Sequence, residues 1–155
     1  MSHSQRLSIP DVDPGAYKAV LALEKYVHSG PLDEALLSIV KVRASQLNHC
    51  AWCLDMHVEE ARRAGVAQRK IDLIAAHEEA PTLFSEREEA ALAFTECVTL
   101  IGEAGVPDDI WAAVRAEFDE KETVVLLMAI AAINVWNRMN VAVRTALPDQ
   151  PLTAG

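Results

Sequence analysis

VVLLMAIAAINVWNRMNVAVR, residues 124–144, decides the fold. Its first half is apolar on every side, and a helix of that kind belongs in the middle of a bundle or in a subunit interface rather than on a surface. Asp119 followed three residues later by Glu122 caps its start, and it runs to about Leu147, just before Pro148. The unbroken apolar run, 124–133, is about half of the ~20 residues a bilayer span requires, so the segment reads as a core helix.

Outward from this helix, no segment alternates polar and apolar residues for long and no Asn-Gly hairpin occurs, whereas apolar residues recur at spacings of three and four. The expected fold is therefore an all-α, single-domain bundle of about six to seven helices spanning 1–155, with its core at about 14–147. The first helix covers 14–28, with Ala16, Val20, Leu23 and Val27 on one face and Gly30 as its stop. The second covers 33–47, and Asn48 is expected to cap the third, which carries Cys50, Cys53 and His57 to Gly65. A fourth covers 67–79. Ser85 and Glu88 make a capping box for a fifth that Gly105 closes, and Pro107 opens a short sixth.

With a net charge of −9 and no cluster of Lys and Arg, the chain lacks the basic footprint that nucleic acid or an anionic membrane surface needs in a partner. The N-terminal stretch is polar with two prolines and does not read as a signal peptide, so a cytoplasmic location is expected. Three cysteines in a reducing compartment argue against a structural disulfide framework and leave a worked redox couple open.

Two of those cysteines lie in HCAWCLDMH, residues 49–57. On a helical wheel Cys50, Cys53 and His57 fall within ~60° of one another. Cysteines three apart on a helix have Cα atoms ~5 Å apart, so the pair can switch between thiol and disulfide. A first-turn Cys50 would have its thiolate stabilised by free N–H groups and the helix dipole. Cys53, a turn deeper, would depend on His57 as its base. Two alternatives stand beside this reading: a zinc site using Cys50, Cys53, His57 and perhaps His49, or two small core cysteines. A closed zinc site usually draws its ligands from two segments, which disfavours the first. Cys97 is expected in the core, and His3, His28 and His77 at the surface or at helix ends. Trp52 and Trp136 are candidates to line the dithiol pocket.

LLSIVKVRASQLNHCAWCLDMHVEEARRAG (36–65), LFSEREEAALAFTECVTLI (83–101) and AIAAINVWNRMNVAVRTALP (129–148) resemble the alkylhydroperoxidase AhpD-like proteins of the carboxymuconolactone decarboxylase superfamily. The resemblance implies an all-helical homo-oligomer, a trimer or hexamer, that reduces hydroperoxides through its dithiol. It makes Cys53 the cysteine oxidised to sulfenic acid, Cys50 the proton donor and resolving thiol, and His57 a member of a proton relay. The dipole argument favours Cys50 as the more acidic thiol; on the question of which cysteine attacks, the resemblance is followed. Where many relatives carry a glutamate twelve residues before the first cysteine, this chain has Ser38, and Glu34 one turn earlier is the candidate substitute. Trp52 stands where some members have a histidine. No resident cofactor or metal is expected; the electrons would come from an external dithiol of lipoyl or thioredoxin type. The rival readings are a disulfide reductase, a redox sensor without catalysis, and a lactone decarboxylase, for which a dithiol would have no use.

Overall fold

The computed structural model describes residues 4–102 and 104–150, and among these the chain is all-helical. The elements are α1 (Ile9–Val12), α2 (Pro14–His28), α3 (Glu34–Leu47), α4 (Ala51–Arg63), α5 (Gln68–Leu73), α6 (Glu86–Thr99), α7 (Asp108–Glu117) and α8 (Glu120–Val143), with a 3-10 segment, Ile74–Glu79, after α5. Eight α-helices thus stand where six to seven were expected. The extra one, α1, is a single turn too short to show any periodicity. The helix expected at 67–79 breaks because Ala76 leaves helical geometry (φ −127°). His3 lies outside the described residues.

The helix that opened the reading occupies the centre. α2, α3 and α6 pack on α8, while α4 lies along α3 and α7 along α6. Val125, Leu126, Ile130 and Ile133 of α8 are fully buried, each worth roughly 1.5–3 kcal/mol of transfer from water. The opposite side, with Val124 and Leu127, is open in the single chain. By length and composition α8 could cross a bilayer, more so than its uninterrupted apolar run suggests, but one side of it is core. Gly30 sets the approach of α2 to α8, because a Cβ there would stand 2.8 Å from a methyl of Val125.

The expected capping boxes are both present, Ser85 with Glu88 on α6 and Asp119 with Glu122 on α8. The ends differ from expectation. α6 stops at Thr99, ahead of a turn in which Gly102 and Gly105 take positive φ. α8 stops at Val143, since Arg144 adopts the left-handed conformation. His77, expected at the surface, is buried, held between Glu89 Oε2 at 2.5 Å and Glu96 Oε1 at 3.0 Å. The break at Ala76 lies immediately before it.

The junction between α3 and α4 also corrects the sequence reading. Asn48 does not open α4; it closes α3, and its side-chain amide reaches Ala44 O and the Oδ1 atoms of Asn134 and Asn137 on α8 at 2.9–3.0 Å. Asn137 in turn donates to Ser45 Oγ at 3.1 Å and Asn134 to Thr99 Oγ1 at 3.0 Å. This satisfied polar knot in the core fixes the bend against the central helix. His49 makes the bend itself, at a positive φ of 53° that non-glycine residues rarely adopt. Cys50 follows as the residue that caps α4.

Candidate functional site

α4 begins on a sulfur. Cys50 has extended backbone geometry, and its Sγ accepts the N–H of Cys53 at 3.4 Å, the job a serine or aspartate oxygen usually does at a helix start. Cys50 is therefore the cap itself and not a first-turn residue, which still leaves its sulfur at the positive end of the helix dipole. The two cysteines are joined as a disulfide with Cα atoms 5.4 Å apart, and they are 2% and 1% exposed. Ala44, Ile133, Trp52 and Trp136 pack around them, so both tryptophans do line the dithiol surroundings.

The two sulfurs face different neighbours. Cys50 forms part of the wall of an open cavity of about 340 Å³ that also includes His49, Trp52, Asn140, Arg144 and Leu147. Cys53 Sγ instead accepts a hydrogen bond from the side-chain amide of Asn140 at 3.4 Å. The bridge is compatible with a dithiol that cycles between thiol and disulfide; both cysteines are buried in a small apolar cluster, and Cys50 also borders the open cavity.

His57, one turn on, is 2% exposed and pairs through Nδ1 with Glu60 Oε2 at 2.6 Å. A carboxylate on one ring nitrogen fixes the proton there and leaves the lone pair of the other free, the arrangement that makes an imidazole a base. That second nitrogen, Nε2, is buried without a partner. Burial opposes ionisation of Glu60, but the hydrogen bond from His57, with the charges of His57, Lys41 and His28, holds its carboxyl below the ordinary value.

His57 and Glu60 share a second cavity, of about 160 Å³, with Glu24 and His28 of α2 and the rings of Tyr17, Trp52 and Trp136. Glu24 Oε2 is, like His57 Nε2, buried without a partner. Its other oxygen is paired with the ammonium of Lys41, a residue of α3 only 2% exposed. Burial works against charge on Glu24, yet hydrogen bonds from His28 and Lys41 and their charges bring its pKa to about 2. The hydrogen bond with Glu24 raises the pKa of His28 more than burial lowers it.

The two possible relay residues, Ser38 at the position of the missing carboxylate and Glu34 as its candidate substitute, are now placed. Ser38 is buried and donates its hydroxyl to Ala35 O at 2.7 Å, within its own helix. Glu34 is largely exposed and bonds His28 Nδ1 at 2.8 Å, so it reaches this cavity only as the outer end of the series Glu34, His28, Glu24, Lys41. Cys97 is partly buried, and burial raises its thiol. Sequence reasoning missed Glu24, Lys41, Glu60 and Asn140. Glu60 was within reach, three residues after His57; Asn140, 87 residues from Cys53, gave no local signal.

The sequence profile of the carboxymuconolactone decarboxylase family matches residues 14–96. An uncharacterized protein of Bacillus subtilis (strain 168), YdfG, is 37% identical over 139 residues, 90% of this chain and 94% of that one. A solved structure from Agrobacterium tumefaciens, a protein of unknown function provisionally assigned to antioxidant defence as AhpD, superposes with a TM-score of 0.91 at 41% identity, covering 95% of this chain and all of that one. The AhpD core of an uncharacterized peroxidase-related protein from Ralstonia eutropha JMP134 shares the fold, with a TM-score of 0.78 at 20% identity over 90% of this chain and 74% of that one.

Proposed function

Because this chain belongs to the carboxymuconolactone decarboxylase family, we propose that it is a dithiol peroxidase of the alkylhydroperoxidase kind, serving antioxidant defence. The observation that carries this reading is the buried Cys50–Cys53 bridge at the start of α4, with the His57–Glu60 pair one turn away. In the reduced protein, the Cys53 thiolate attacks the distal oxygen of a hydroperoxide. The O–O bond breaks, the alkoxide takes a proton and leaves as alcohol, and Cys53 becomes a sulfenic acid. Cys50 then attacks the Cys53 sulfur, its proton goes with the departing hydroxide as water, and the disulfide forms. Two electrons from an external dithiol, of lipoyl or thioredoxin type, restore both thiols.

His57 handles the proton in these steps: Glu60 holds Nδ1, and the free Nε2 takes up and returns a proton. Glu60 thereby takes the part that the family's earlier carboxylate plays where this chain has Ser38. The acidic surface and the absence of a Lys and Arg cluster fit a small uncharged substrate better than a nucleic acid. The protein works in the cytoplasm as a homo-oligomer, a trimer or hexamer.

The test is intact-mass spectrometry of the reduced protein after one equivalent of an organic hydroperoxide, alongside Cys50→Ser and Cys53→Ser. The expected result is a loss of about two mass units in the wild type and a trapped sulfenic acid only where Cys53 remains. A wild type that reacts no faster than free thiol, with an oligomer size that changes with redox state, would replace this reading with that of a sensor.

A further inference from the structure

We infer that Asn140 is a catalytic residue of this dithiol: its amide N–H receives the negative charge of the Cys53 sulfur, and Thr145 aims it. Asn140 Nδ2 lies 3.4 Å from Cys53 Sγ. Its Oδ1 accepts the hydroxyl of Thr145 at 2.8 Å, and an amide whose oxygen is held by a donor has its NH₂ group fixed on the opposite side, toward the sulfur. Thr145 is there because α8 ends in a left-handed residue. With Arg144 at φ 55°, the chain turns back and Thr145 N–H donates to Asn140 O at 3.0 Å.

The apolar groups packed around the two cysteines do not supply this charge stabilisation. Cys53 is 1% exposed among Ala44, Ile133, Trp52 and Trp136, where burial alone would raise a thiol's pKa. Cys50 has a backbone donor, the N–H of Cys53, and Asn140 provides the matching donor for the second sulfur. A disulfide sulfur is a weak acceptor and a thiolate a strong one, so the Asn140 bond strengthens at the moment charge arrives on Cys53.

The placement also sets the direction of thiol exchange, which rests on the reading under Proposed function. The open cavity is bordered by Cys50 and not by Cys53, so the donor's thiolate attacks Cys50 Sγ. The Cys50–Cys53 bond breaks, its electron pair leaves on Cys53 Sγ, and Asn140 receives that charge while the donor is joined to Cys50. The donor's second thiolate then displaces the Cys50 sulfur, and the donor departs as its own disulfide with both cysteines reduced.

The experiment measures thiolate and uses no peroxide, so its failure is separate from failure of the peroxidase reading. In a Cys50→Ser background, Cys53 alkylation by iodoacetamide is followed by mass spectrometry across pH. The titratable groups that line the two cavities beside the dithiol are His49 and Arg144 on one side and Tyr17, Glu24, His28, His57 and Glu60 on the other, with Lys41 paired to Glu24; α4 also carries Asp55, Glu59, Arg62 and Arg63, α3 Arg43 and α8 Arg138. All are retained in the variants, so a shift belongs to the altered residue. Asn140→Ala is expected to raise the alkylation midpoint by about one pH unit, a ~10-fold loss of thiolate at a given pH, and Asn140→Asp by more. Thr145→Val leaves the amide in place but unaimed. It is expected to give a smaller rise, and it serves as the readout if Asn140→Ala does not fold by circular dichroism. Midpoints of Asn140→Ala, or of Thr145→Val in that event, that coincide with the background would overturn the assignment.

Discussion

Replacing Glu24 by Gln tests whether the buried charges beside the site are arranged as described. Lys41 is 2% exposed, and its ammonium is paired with the Glu24 carboxylate, which is itself mostly buried. Removing one partner of a buried pair strands the other, which costs about 3–5 kcal/mol. The depressed carboxyl of Glu24 points the same way. A carboxyl at about 2 in the folded protein against an ordinary 4.5 corresponds to about 3 kcal/mol of stability. Because the folded pKa is the lower one, that stability is complete above the unfolded value and is lost as pH falls from about 4.5 through about 2. Urea unfolding at pH 7 is expected to show Glu24→Gln less stable by about 3–5 kcal/mol, and Glu24→Gln with Lys41→Met recovering most of the loss, since no unpaired ammonium remains. The acid-side slope of the double variant is expected to be shallower than that of the wild type. A loss below about 1 kcal/mol in the single variant, or no recovery in the double, would refute the reasoning.

His49→Gly is expected to stabilise the fold by about 1 kcal/mol, read as a higher thermal midpoint, because glycine takes the left-handed bend without the Cβ penalty. Glu60→Gln, which leaves His57 without its anionic partner, is expected to slow disulfide formation by hydroperoxide at least ~10-fold in stopped-flow fluorescence while leaving the fold intact. His28 has a raised folded pKa, so its contribution to stability is full below the unfolded value and fades as pH rises through the folded one; the thermal midpoint should fall over that range in the wild type and not in His28→Gln. Leu127→Glu, on the open side of α8, is expected to reduce the proposed oligomer to smaller species in light scattering coupled to size exclusion.

The fold was legible where one physical signal dominated a segment. The all-round apolar α8 and the capping boxes at Ser85 and Asp119 were readable because periodicity and short-range hydrogen bonding act within a few residues. α1 and the break at Ala76 were not, since one turn has no period and a kink is set by what lies beneath it. At the site, the spacing of Cys50 and Cys53 was enough to anticipate a bridge, but the helical wheel put Cys50 inside the helix, where the structure makes it the extended capping residue. The assignment of Asn48 as the start of α4 failed because an asparagine can close one helix as readily as open the next, and its contacts with Asn134 and Asn137 decide the matter from another helix. Tertiary packing brings Asn140 to Cys53 and Glu24, with its partner Lys41, to the cavity of His57, and their meaning is invisible until α2, α3 and α8 are assembled.

A helix that begins on a redox-active sulfur carries its oxidation state in its backbone. Thiolate at Cys50 is a stronger acceptor for the Cys53 N–H than a bridged sulfur, so the proposed cycle would alternately tighten and loosen the first turn of α4. Amide protons of the residues after Cys50 are therefore expected to exchange with solvent faster in the oxidised protein than in the reduced one, as hydrogen-exchange mass spectrometry would show. The electron count of the dithiol would become a local mechanical property of the scaffold, felt beside the cavity that Cys50 borders.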